Sequence, residues 1–106
     1  NFNDKIISKV KKMVREDYQN ISLKNIARKV HLSPSYLSKF FKDLTGENFS
    51  DYVLKIKMEE AKRLLMEIDY CVYEVSEILG YSNPKNFSRA FKVFTGKTPS
   101  EYRKGD

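Results

Sequence analysis

Apolar side chains along the chain recur at helical intervals and never in strict alternation. Ile6, Val10, Met13 and Val14 fall on one side, with Lys, Ser and Glu between them, which predicts an amphipathic helix over 3–17. Ser22 then stands as an N-cap before LKNIARKV, whose Leu23, Ile26, Ala27 and Val30 form an apolar face. After HLS, Ser33-Pro34 supplies a cap and a first-turn proline, and PSYLSKFFKDLT runs as a third helix to Gly46. Two short helices joined by so tight a turn read as a helix-turn-helix. Asn48 next caps a long helix over 49–67. Its apolar residues (Tyr52, Val53, Leu54, Ile56, Met58, Ala61, Leu64, Leu65, Ile68) spread over more than one stripe, so more than one neighbour should bury it. VYEVSEILG, with Cys71 at its start, follows the break IDYC and ends at Gly80. Asn83-Pro84 opens PKNFSRAFKVFT, which Gly96 closes. Thr98-Pro99-Ser100-Glu101 is a capping box for a last helix. No strand is predicted, and the fold class is all-α.

The pattern is written twice. FKDLTGENFSDY at 41–52 and FKVFTGKTPSEY at 91–102 agree at six of twelve positions, fifty residues apart. Pro34/Pro84, Ser38/Ser88, Phe41/Phe91, Lys42/Lys92, Thr45/Thr95, Gly46/Gly96, Ser50/Ser100 and Tyr52/Tyr102 match at that offset. Upstream, Ile26/Val75, Ala27/Ser76 and Ser33/Ser82 match at forty-nine, so the second turn carries one extra residue. A repeated phrase is a repeated physical unit. The expected organisation is a first helix-turn-helix subdomain over 3–47, a linker helix over 48–68 and a second subdomain over 69–106.

A chain of 106 residues supports one domain or two small ones, and 41% hydrophobic with 32% charged residues is a globular mixture. No apolar run approaches the roughly 20 residues of a membrane span, and the mixed N-terminal stretch is no signal peptide. Cys71 is alone, so no internal disulfide forms, in keeping with a reducing cytoplasm. The opening Asn1 suggests a piece of a longer chain. One His, one Cys and no phosphate-cradling Gly loop leave no catalytic set, no metal site and no cofactor site. Net charge is +6, unevenly placed: about +5 over 1–30, −3 over 31–82 and +4 over 83–106. Basic ends attract polyanions, chiefly nucleic acid.

The quoted phrase is mainly scaffold. Phe41 and Phe91, four residues after Leu37 and Phe87, belong to the inner face of each second helix, and Tyr52 and Tyr102 pack the following helix down. The informative residues differ between copies. Opposite the inner face lie Ser35, Ser38 and Lys39 in the first, and Lys85, Asn86 and Arg89 in the second. These are short or donor-rich side chains near helix N-termini, the end that a recognition helix presents to base edges. A 19-residue helix between the copies spans about 28 Å, near the roughly 34 Å between adjacent major-groove segments. Double-stranded DNA is therefore the expected partner, and RNA is not, because A-form major grooves do not admit a helix. The alternative is a helical protein-interaction module without sequence-specific DNA reading.

IARKVHLSPSYLSKFFKDLTG, KIKMEEAKRLL and VSEILGYSNPKNFSRAFKVFTGKTPSEYR, in that order, resemble the DNA-binding domain of the AraC/XylS family of bacterial transcription regulators over nearly the whole chain. The wording is nearest the response-regulator branch. The resemblance implies seven helices and two recognition helices entering adjacent major-groove segments of a promoter. Matching positions make Ser35, Ser38 and Lys39 the first reading set and Lys85, Asn86 and Arg89 the second. Ser33, Asn83, Lys42 and Lys92 fall where phosphates would be met. An activator's partners, RNA polymerase and a sensory or receiver domain on the parent chain, are implied too. His31 stands where the family often has Gly, which predicts a slightly strained turn. Lys57 stands where many members carry Arg.

Overall fold

The computed structural model describes residues 1–105. Among them run α1 (Phe2–Glu16), α2 (Leu23–Lys29), α3 (Pro34–Thr45), α4 (Phe49–Leu65), α5 (Val72–Ile78), α6 (Pro84–Thr95) and α7 (Pro99–Lys104), with no strand. The caps explain the starts. Ser22 accepts the Asn25 N–H at 3.1 Å, Ser33 that of Tyr36 at 3.1 Å, and Asn83 that of Lys85 at 2.9 Å. Thr98 accepts from Glu101 at 3.2 Å while the Glu101 carboxylate accepts from the Thr98 N–H at 2.8 Å, the reciprocal box anticipated there. That backbone bond holds the Glu101 carboxyl below its ordinary value. Asn48 departs from expectation: its amide donates to the Asp51 carboxylate at 3.2 Å, and its carbonyl accepts the Tyr52 N–H at 3.0 Å.

The chain forms two compact units, Asn1–Ile56 and Lys57 onward, so the boundary falls inside α4. In the first, Val10 and Val14 of α1, Ile26 and Ala27 of α2, Leu37 and Phe41 of α3, and Phe49 and Tyr52 of α4 form one buried cluster. In the second, Met58, Ala61, Leu64 and Leu65 of α4 are buried, as are Val75 and Leu79, Phe87 and Phe91 of α6, and Pro99. The N-terminal half of α4 thus serves the first unit and its C-terminal half the second. Full burial of a side chain of this size contributes about 1.5–3 kcal/mol. Ile68 does not belong to the stripe: α4 stops at Leu65, two residues short of expectation, and Ile68 is 95% exposed. The same motif ends α2 and α5. The Leu32 N–H donates to the Ala27 carbonyl and the His31 N–H to that of Arg28; Tyr81 donates to Ser76 and Gly80 to Glu77. This closure needs a left-handed residue, which is His31 (φ 61°) in one unit and Gly80 (φ 87°) in the other.

At the repeated phrase, Phe41 meets Tyr52 at 5.5 Å between ring centroids, and Phe91 meets Tyr102 at 5.4 Å. The threonines add something periodicity does not reveal. The Thr45 hydroxyl donates to the Phe41 carbonyl at 2.7 Å and accepts the Glu47 N–H at 3.3 Å; Thr95 does the same with Phe91 (2.8 Å) and Lys97 (3.2 Å). Thr-Gly therefore recurs as a clasp at the end of α3 and of α6. In the second unit the Arg103 guanidinium donates to the Leu65 carbonyl at 2.8 Å and the Glu67 carbonyl at 3.3 Å, closing the end of α4.

Candidate nucleic-acid interface

In the first unit α2 packs on α3, with Leu37 and Phe41 wholly buried. Ser35, Ser38 and Lys39 are exposed, as are Ser33 at the helix start and Lys42 two turns in. In the first turn Pro34 has no N–H and Ser33 takes those of Tyr36 and Leu37, so the Ser35 N–H is the backbone donor the helix start presents. Two features reshape this face. Lys39 lies 3.5 Å from the Asp43 carboxylate one turn on. Tyr36, absent from the predicted set, is 55% exposed and stacked on Phe40 at 5.8 Å. A signal for it existed, since the fifty-residue offset pairs Tyr36 with Asn86.

The second unit repeats the geometry with α5 against α6. Phe87 and Phe91 are wholly buried, while Lys85, Asn86, Arg89 and Lys92 are exposed. Asn83 caps the helix through its oxygen and keeps its amide N–H groups for another acceptor. Ser88 is half-buried, unlike its counterpart Ser38. Lys85 and Arg89 make no ion pair among the described residues. Beside this helix, the Lys57 ammonium sits 5.2 Å from the Tyr81 ring centroid, and Tyr81 leans on Phe87 at 5.6 Å. Burial holds the Lys57 ammonium below the ordinary lysine value and pushes the Tyr81 phenol up.

Each face can donate hydrogen bonds and carry positive charge; neither holds a nucleophile next to a base. No group of three or more His, Cys, Asp or Glu placed to hold a metal occurs among the described residues, and none of their helices is long and apolar enough to cross a membrane. Cys71 is exposed, and its N–H donates to the Glu74 carboxylate at 3.0 Å.

A helix-turn-helix domain family model matches residues 26–105. The transcriptional regulatory protein YesN of Bacillus subtilis is 41% identical over 104 residues, covering 93% of this chain and 28% of that protein. The C-terminal domain of AraT, a response regulator from Geobacillus stearothermophilus, superposes with a TM-score of 0.89 at 30% identity, over 95% of this chain and 85% of that one. The DNA-binding domain of AdpA, solved with a target DNA, shares the fold with a TM-score of 0.85 at 24% identity, over 93% and 90% of the two chains. The chain spans under a third of YesN's length. It belongs to the AraC-type family of helix-turn-helix domains found in bacterial transcription regulators.

Proposed function

We propose that this domain binds double-stranded DNA sequence-specifically to regulate transcription, with α3 and α6 as its two recognition helices. One observation carries the reading: both helices bury their Leu/Phe face and leave an N-terminal outer face of donors exposed. On α6, Arg89 and Lys85 suit guanine edges and Asn86 suits adenine. On α3, Ser35, Ser38 and Lys39 supply fewer donors, and Tyr36 offers an apolar surface to a thymine methyl. Ser33, Asn83, Lys42 and Lys92 meet phosphates and set the register. The fold is one that holds target DNA in AdpA. In the parent protein, a receiver or sensory domain governs access to the site and RNA polymerase is the downstream partner, in the cytoplasm; the response-regulator relatives support this.

Selection of bound duplexes from a random pool tests the function. The expected result is a site of two elements, with binding that falls steeply with salt. Binding insensitive to sequence and salt would remove the reading in favour of a protein-interaction module.

A further inference from the structure

Resting on that assignment, we propose that residue 43 and its counterpart 93 set how strongly each recognition helix engages DNA: Asp43 restrains the first reader, and Val93 leaves the second unrestrained. Asp43 lies one turn beyond Lys39 with its carboxylate 3.5 Å from the ammonium, and both side chains are largely solvent-exposed, 79% for Lys39 and 60% for Asp43. At the fifty-residue offset Lys39 pairs with Arg89 and Asp43 with Val93. Val93 is 88% exposed, so the core does not call for an apolar residue there. The first helix consequently carries Lys39 and Lys42 against Asp43, whereas the second carries Lys85, Arg89 and Lys92 with no acid.

An exposed pair of this kind contributes little to folding. Its effect falls on the ligand instead. A carboxylate beside Lys39 competes with a phosphate or base edge for the ammonium, and it repels the polyanion as the helix enters the groove. Exposed side chains feel this repulsion most at low salt. The second helix meets no such opposition, so it engages DNA first and supplies most of the discrimination. The first helix adds a weaker contact that is easily lost.

The experiment compares Asp43→Asn, Val93→Asp, Lys39→Ala and the Lys39→Ala/Asp43→Asn double variant with the parent. Each is titrated across a salt series against the selected site, against versions with either element scrambled, and against a fully scrambled duplex. Asp43→Asn should tighten duplexes carrying the first element about fivefold, and steepen the logarithmic salt dependence by up to about one. Val93→Asp should weaken the second element to a similar extent and flatten the slope. Lys39→Ala should remove the larger share of the gain from Asp43→Asn, leaving only the relief of direct repulsion, and melting temperatures should stay within a few degrees, which separates this role from a structural one. Unchanged affinity and slope in Asp43→Asn would overturn the proposal, as would a gain that is just as large without Lys39. If the parent itself showed no salt-dependent selection, the DNA-reading assignment would fall instead.

Discussion

Where α2 ends, the first unit turns through a histidine at φ 61°; where α5 ends, the second turns through a glycine at φ 87°. The hydrogen bonds around the two turns correspond one for one, yet one backbone carries a β-carbon in the left-handed region and the other does not. The units differ again inside, where Ala27 is matched by a buried Ser76 whose hydroxyl finds no partner among the described residues. They differ outside, where Lys39 faces Asp43 and Arg89 faces Val93. Between the copies the frame is built from identical residues: Phe41 and Phe91 on the inner face, the Thr-Gly clasp, and Tyr folded back on Phe. Substitution has been tolerated at the turn and on the outward face. The two units share one construction and present two unequal surfaces.

Breaking the shared frame should give the largest effect. Gly46 and Gly96 both sit near φ +84°, and a β-carbon there would touch nothing within 4 Å. Any loss on Gly46→Val or Gly96→Val is therefore backbone strain and not collision, upwards of about 2 kcal/mol for a β-branched residue. Thermal melting should show equal losses in the two variants; if either equals the parent, its helix end is not held by left-handed geometry.

The next effect separates reading from attraction. Arg89→Ala should lose about 1–3 kcal/mol on the selected site and relax selectivity at one position. Lys92→Ala should weaken all duplexes alike and reduce the salt slope by about one. Titration against selected and scrambled duplexes decides, and equal weakening of both by Arg89→Ala would contradict a base contact.

A smaller pair exchanges the turn residues. Gly80→Ala should destabilise by about 1 kcal/mol. His31→Gly should stabilise by about half as much, because relief of strain exceeds the added entropy of the unfolded chain. Denaturant melts of both variants give the comparison, and loss of stability in His31→Gly would mean that the imidazole does something for the turn. Smallest of all, Ser76→Ala should stabilise by about 0.5–1 kcal/mol by removing an unpaired buried hydroxyl. Melting below the parent would reveal a bonded hydroxyl.

Most of the helical order was legible because the punctuation is local. Ser33-Pro34, Asn83-Pro84, Thr98-Pro99 and the terminal glycines act within one turn of themselves. Reach beyond a turn defeats such reading. Nothing near Arg103 announces that it closes a helix 38 residues away, and Ile68 keeps the helical spacing of α4 although the helix has stopped. The outward faces of α3 and α6 followed from their inner phenylalanines. Lys39 and Asp43 stand at i and i+4, so their pairing was present in the sequence, but its meaning appears only beside the acid-free second copy. The bases that each face meets are a property of the DNA, which no residue here records.

The Arg103 contacts have one further consequence. α7 has only six residues, too few to persist alone in water. It is held by Tyr102 against Phe91 and by Arg103 against the Leu65 carbonyl that ends α4 and the Glu67 carbonyl just beyond it. When α7 peels away, the end of α4 loses its cap in the same event, so the two should open as one cooperative element. In native-state hydrogen exchange the amides of α7 and those closing α4 should share a single opening free energy, and Arg103→Ala should lower it for both.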